Sequence, residues 1–223
     1  MPTTIAERLI DFYLNLQPPS NLPKGVETLH PQKNEDVRSI IRTFFSKYYD
    51  DNNPRRMLIG INPGRFGAGI TGINFTGPRQ LRDDCGIDNP FGNSSELSAE
   101  FIYEVIQKYG GSDKFYSKFY VSAVSPLGYI KDGINLNYYD DKELQQSVVP
   151  YATACLKEQL SFGFDTDRCI CIGGAKNFTF LSRLNSENGF FREIVPVPHP
   201  RFILQYKRKQ KDQFVDQYLS ALL

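Results

Sequence analysis

The chain has 223 residues, of which 40% are hydrophobic and 23% are charged, and its formal net charge is +1. This length and composition fit one globular domain with a core of ordinary size, so we expect a single domain over residues 1–223. The near-neutral total hides a basic run near the end of the chain. The N-terminal segment carries Glu7 and Asp11 within an amphipathic pattern. That pattern excludes a signal peptide and a membrane span and predicts a cytoplasmic protein.

Cysteine usage points to the same reducing compartment. No C-x-x-C pair occurs among the four cysteines, which are Cys85, Cys155, Cys169 and Cys171. We therefore expect reduced thiols in the core and no metal or cluster site.

The predicted elements alternate along the chain. Helical spacing of apolar residues over 5–14 and 35–49 indicates a helical N-terminal part, residues 1–55, and an α/β core follows over 56–223. Short apolar runs predict strands at 57–61, 119–124, 168–172 and 193–197. Helical patterns lie at 96–109, 142–160, 175–184 and 204–222. This alternation predicts a three-layer α/β fold, with a central parallel four-stranded sheet flanked by helices.

Ligands of such sheets bind at the carboxyl ends of the strands. The first of these loops, "NPGRFGAGITGINFTGP", contains five of the seventeen glycines in the chain. Residues 67–72 match G-x-G-x-x-G, but this motif binds a dinucleotide only where it joins a strand directly to a helix. Here it begins six residues after the strand, and β-branched residues, glycine and proline follow it. No G-K-[ST] sequence follows either, so we expect no nucleotide cofactor.

Asn62 is the first polar side chain after the predicted strand. Pro63 favours an extended conformation for it, so its amide can be aimed into a pocket. An amide cannot act as a general base, but it can position a water against an electrophile that is already cation-like, as in glycosidic cleavage. The alternative is that Asn62 only forms a turn. Phe75, in the same glycine-rich loop, is either a platform for a base or a core side chain.

Several segments together resemble a known family. They are "LIGINPGRFGAGITGINFTGP" followed by "RQLRDDCGI", then "FYVSAVSPLGYIKDGINLN", "RCICIGGAKN" and "PVPHPRF". They resemble the single-strand-selective monofunctional uracil-DNA glycosylases of the uracil-DNA glycosylase superfamily, over roughly residues 56–220. The resemblance implies that Asn62 positions the hydrolytic water and that Phe75 stacks on a flipped base. It also implies that Gly64, Phe66 and Gly67 line the base pocket, and that no metal or cofactor is needed.

Two positions depart from the family pattern. Where the family carries an asparagine that reads the base edge, this chain has Ala123, whose methyl group cannot do so. Ser122 or Ser125 is expected to supply a hydroxyl instead, which would change base selection. The histidine of the family's His-Pro-x-Pro-Arg motif is found two residues late, as His199. A shortened loop would align it with the family position, from which it would donate a hydrogen bond to the departing base. The alternatives are a solvent-facing His199 and an ungapped register with Val197 at that position.

The basic residues follow this loop directly. We expect Arg201 to contact DNA or wedge into the space left by a flipped base, and we expect phosphate contacts from Lys207, Arg208, Lys209 and Lys211. The alternative for this run is a solvated helix face. The other histidine, His30, is expected to have a structural role.

Taken together, these features predict a monomeric DNA glycosylase of base excision repair, which removes uracil or a related deaminated base from single-stranded DNA. The first alternative is a catalytically inactive nucleic-acid-binding domain with the same fold. The second is an enzyme that acts on free nucleosides or nucleotides, for which the basic run would have no purpose.

Overall fold

The computed structural model of the protein describes residues 3–94 and 96–223. Within these residues the strands are β1 (Val26–Leu29), β2 (Arg56–Gly60), β3 (Phe119–Ala123), β4 (Gly128–Lys131), β5 (Ile134–Leu136), β6 (Asp165–Ile172) and β7 (Glu193–Val197). The helices are α1 (Ile5–Leu14), α2 (Glu35–Tyr49), α3 (Ala68–Thr71), α4 (Pro78–Asp83), α5 (Leu97–Tyr109), α6 (Ser112–Tyr116), α7 (Lys142–Leu160), α8 (Gly174–Asn188), α9 (Pro200–Tyr206) and α10 (Lys211–Leu222). No helix in this part of the chain is long and apolar enough to span a bilayer.

The predicted central sheet is confirmed. Its strands run in the order β3-β2-β6-β7, and each neighbouring pair is parallel. The register places Gly60 beside Ala123 and Ile172 beside Val197. Since the strands are parallel, these residues lie at one edge of the sheet, and the loops that follow them meet there.

Helices flank the sheet, and those of the N-terminal part pack into the same hydrophobic cluster as the strands. The hydroxyl of Tyr13 in α1 hydrogen-bonds that of Tyr120 in β3 at 2.9 Å. Arg55, which precedes β2, is buried and donates to the carbonyls of Tyr48 and Tyr116 at 2.9 and 2.7 Å. The four cysteines are buried and free, as predicted.

A second, antiparallel sheet of β1, β4 and β5 was not predicted. Its β4–β5 hairpin turns at Asp132 and Gly133, whose φ values are +50° and +72°. Two successive positive φ angles are typical of a type I′ turn, for which Asp-Gly is a preferred sequence. This sheet matters for function because β5 ends next to Asn62.

One prediction of helix extent was wrong. The single helix expected over 204–222 is two helices, α9 and α10, separated by a 3-10 turn at Arg208–Gln210. The chain leaves the helical conformation at Lys207 (φ −129°, ψ 22°). The glycine motif at 67–72 contains one helical turn, α3, which ends at Gly72 with φ +75°. A dinucleotide site requires a helix that directly follows the strand, whereas α3 is a single turn that begins eight residues after the end of β2.

Candidate active site

Asn62 is held rigidly by the backbone that follows β5. Its Nδ2 donates to the carbonyls of Leu136 at 3.1 Å and Pro63 at 3.3 Å, and its Oδ1 accepts from the N–H of Tyr138 at 3.0 Å. Both amide hydrogens are therefore used, whereas an amide oxygen has two lone pairs. The remaining lone pair on Oδ1 is the free hydrogen-bonding capacity of this side chain, and it suits a water that donates a hydrogen.

The structure brings several predicted site residues together around one cavity at the carboxyl edge of the sheet. Those that line it are Asn62, Gly64, Phe75, Ala123 and His199. The cavity has a volume of about 40 Å³ and adjoins a larger groove of about 280 Å³. Asn62, Gly64 and His199 line both spaces. A ligand that passes along the groove thus reaches the cavity directly.

The glycines of the first loop allow close backbone contacts. The carbonyl of Gly64 accepts from the N–H groups of Gly67 at 3.3 Å and Gly69 at 2.8 Å. A Cβ on Gly69 would lie 2.6 Å from that carbonyl oxygen, so only glycine fits this turn. Of the predicted base-binding residues here, Gly64 lines the cavity, whereas Gly67 and Phe66 do not. Phe66 is 55% exposed and lines a neighbouring groove.

Phe75 has an unusual backbone that directs its ring. Its φ is +53°, a conformation that bulky residues rarely adopt and that tends to occur at functional sites. The ring lies against the backbone of Gly60, since a Cβ on that glycine would be 2.5 Å from Phe75 Cε2. The ring is half-buried, and its centroid is 6.2 Å from that of His199. The Phe75 ring therefore lies between the backbone of Gly60 and the His199 ring at the cavity.

His199 caps the N-terminus of α9, where its Nδ1 accepts a hydrogen bond from the N–H of Arg201 at 3.1 Å. Burial, together with the smaller effect of the nearby charge of Arg201, lowers the pKa of His199 from 6.5 to about 4. At neutral pH the imidazole is therefore uncharged. Because Nδ1 is an acceptor, the ring hydrogen is on Nε2. Val197, the alternative at this position, is a buried residue at the end of β7.

The three predicted residues around the end of β3 are placed differently from one another. Ala123 lines the cavity. Successive side chains of a strand face opposite sides, and the hydroxyl of Ser122 donates to Gln159 Oε1 of α7 at 2.6 Å. The hydroxyl of Ser125 donates to the carbonyl of Leu127 at 2.8 Å. Both serines are fully buried, and the structure brings neither hydroxyl to the cavity.

Two cavity residues were missed by the sequence analysis. Asn74 is 7% exposed and precedes Phe75. Glu96 lies over the glycine loop, with Oε1 3.2 Å from the position of a Cβ on Gly64, and it accepts from the Ser98 hydroxyl at 3.4 Å. Burial raises the pKa of Glu96, and the positive charge of Arg201 opposes this. Glu96 also lines the adjoining grooves, so it lies where they meet the cavity.

The basic residues lie beyond the mouth of the cavity. Arg201 is exposed and lines both adjoining grooves. Residues 207–209 are exposed and lie between α9 and α10 rather than on one helix face. Lys211 differs from them, because its Nζ is 2.7 Å from Glu104 Oε1. His30 lies outside the cavity, and burial lowers its pKa.

Comparison with known proteins identifies the family of the chain. The family model described as the uracil DNA glycosylase superfamily matches residues 46–223. The crystal structure of wild-type SMUG2 from Pedobacter heparinus is 42% identical in sequence and superposes with a TM-score of 0.94. The match covers 98% of this chain and 97% of that chain. The search of curated proteins gave no match. The sequence match and the shared fold show that the chain belongs to the uracil DNA glycosylase superfamily.

Proposed function

We propose that the protein is a monofunctional DNA glycosylase that hydrolyses the N-glycosidic bond of uracil, or of a related deaminated base, in single-stranded DNA. The observation that carries this proposal is the arrangement of Asn62, Phe75 and His199 around one cavity. Such a cavity offers a water-holding oxygen, a flat surface and a neutral hydrogen-bond donor. Membership of the superfamily supports the same activity.

The chemistry follows from what each side chain has free. As the glycosidic bond breaks, the sugar becomes cation-like and the base leaves as an anion. Asn62 Oδ1 holds a water by one of its hydrogens, so that the water oxygen bonds to the sugar carbon as the bond from that carbon to the base breaks, and the proton that the water then loses passes to the departing base anion or to solvent. His199 Nε2–H donates to the departing base oxygen and stabilises its negative charge. Donors and acceptors that are already oriented cost no reorganisation during the reaction.

We expect no strand cleavage. A lyase step needs an amine that attacks the sugar and forms a Schiff base. The first motif, residues 56–78, contains no lysine, and no lysine lines the cavity among the described residues. The product is then an abasic site in an intact strand.

A single-stranded substrate is favoured by the surface beside the cavity. Four exposed apolar side chains surround the site, with exposed fractions from 44% to 67%: Phe66, Ile134, Phe202 and Tyr206. The rings of Phe202 and Tyr206 are 5.8 Å apart, and Arg201 lines the same groove. Aromatic rings next to cations are typical of surfaces that bind single strands by stacking.

The test is excision from oligonucleotides that carry uracil, xanthine or hypoxanthine, each in single and double strands, with free deoxyuridine as a further substrate. We expect alkali-labile sites at uracil in the single strand and no break before alkali treatment. Release of no base at high enzyme concentration would support the inactive binding domain instead. Cleavage of free deoxyuridine at a comparable rate would favour the enzyme on nucleosides.

We also propose that the protein acts as a monomer in the cytoplasm. The free, buried thiols fit a reducing compartment. Light scattering on the purified protein, alone and with a short oligonucleotide, tests the first point, because a dimer would have twice the mass of 25.5 kDa. Fractionation of the source cells tests the second.

A further inference from the structure

Asn74 has one unused hydrogen-bonding atom at the cavity. The residue is 7% exposed, lines the cavity and precedes Phe75, the proposed platform for the base. Its Nδ2 donates to the hydroxyl of Tyr13 at 3.1 Å. Among the described residues, Oδ1 has no hydrogen-bond partner. A buried amide whose oxygen has no protein partner is uncommon, so this oxygen is available to a ligand.

The orientation of this amide is set by a chain of buried hydrogen bonds. Gln159 Nε2 donates to the carbonyl of Cys155 at 3.0 Å, so Gln159 Oε1 faces the other way and accepts from the Tyr120 hydroxyl at 2.8 Å. Tyr120 uses its hydrogen there and accepts from Tyr13 at 2.9 Å. Tyr13, whose pKa burial raises to about 12, then accepts from Asn74. Nδ2 must therefore face Tyr13, and Oδ1 is left for the cavity.

We propose that Asn74 determines base specificity, because its Oδ1 accepts a hydrogen bond from the ring N–H that deamination creates. This inference rests on the proposed function and names the contact that selects the base. Cytosine has a lone pair at N3 and uracil has N3–H, and adenine and hypoxanthine differ in the same way at N1. An acceptor at this position attracts the deaminated base and repels the parent. Ala123 supplies no such acceptor, and the carboxyl oxygens of Glu96 lie over Gly64 and Gly67, whereas Asn74 adjoins Phe75, the proposed platform for the base.

The experiment measures binding without catalysis. Single-stranded oligonucleotides carry one 2′-fluorinated, non-hydrolysable nucleoside whose base is uracil, 3-methyluracil or cytosine, and the last two bases both lack N3–H. We expect the wild type to bind the uracil oligonucleotide roughly ten- to a hundredfold more tightly than the other two, because the alternative leaves a buried acceptor unpaired. Asn74→Ala should bind all three within about threefold.

Two further variants separate reading from folding. Tyr13→Phe keeps the Asn74 side chain but removes the acceptor that orients its amide, so discrimination should fall although the cavity lining is unchanged. Tyr129→Phe is the matched control: it makes the same change at a buried tyrosine whose hydroxyl pairs with that of Ser125 at 2.8 Å and lies outside this chain of hydrogen bonds, and it should discriminate like the wild type. If Asn74→Ala does not fold, Tyr13→Phe still decides the matter.

The outcomes distinguish this inference from the proposed function. Equal discrimination by the wild type, Asn74→Ala and Tyr13→Phe would overturn the role of Asn74, even if the wild type excises uracil. A wild type that binds all three bases equally would overturn it too. Conversely, loss of discrimination in both variants supports the role of Asn74, and this holds even if the wild type releases no base and the glycosylase proposal fails.

Discussion

Lowering the pH from 7 to 5 should destabilise the protein through His199. The pKa of this histidine is about 4 in the folded protein, against 6.5 for the free side chain. At pH 5 the unfolded chain has therefore taken up a proton that the folded protein has not. The stability associated with the neutral imidazole is complete above pH 6.5 and is lost as the pH falls towards 4. Linkage gives a loss of about 2 kcal/mol between pH 7 and 5.

The assay is urea unfolding at both pH values, for the wild type and for His199→Gln. The glutamine amide supplies an N–H donor in place of the imidazole but does not titrate. Other titrating groups contribute equally to both proteins. One of these is His30, whose pKa is also lowered by burial. The wild type should lose about 2 kcal/mol more than the variant on acidification. Equal losses would refute the reasoning, because they would mean that His199 is not held in its neutral form.

Three other changes test the site and its surroundings. Asn62→Ala should slow single-turnover excision by roughly tenfold to a thousandfold, with DNA affinity by anisotropy nearly unchanged, because its contact is with the transition state. Replacing residues 207–209 with serine should reduce the slope of log DNA affinity against log salt concentration by about 0.7 for each phosphate contact that is lost. The ion-paired Lys211, replaced alone, should change that slope less. Gly60→Ala should displace the Phe75 ring and slow excision. In a protein that already carries Phe75→Ala, adding Gly60→Ala should slow excision little further.

The central sheet could be predicted because each of its strands is a short apolar run between helices. The smaller sheet could not be predicted in the same way, since its strands have three or four residues and no residue of β5 is fully buried. The Asp132-Gly133 pair was a local signal for its hairpin, and it was overlooked. The division of the last helix was harder to foresee, because no proline or glycine marks the break at Lys207.

The site was predictable where a residue's function depends on its place in the chain. Asn62 follows β2 and His199 follows β7, so sequence order locates both at the carboxyl edge of the parallel sheet, where the cavity lies. Because successive side chains of a strand face opposite sides, the sequence alone indicates that Ser122 and Ala123 cannot both face the cavity, although both were predicted to bind the base. Asn74 is different, because its amide is oriented by Tyr13, which is 61 residues away. No pattern within one segment can reveal such a contact.

The polar atoms at the cavity share one physical property. Asn62 Oδ1, Asn74 Oδ1 and His199 Nε2–H each belong to a neutral side chain that is oriented by a hydrogen bond to protein. Rate enhancement at such a site comes from orientation and not from a titrating catalyst. Single-turnover excision should therefore show no inflection near pH 6.5. Burial raises the pKa of Glu96, the one carboxyl among the residues described at the cavity. If the rate shows an inflection at lower pH and Glu96→Gln removes it, the titrating group is Glu96.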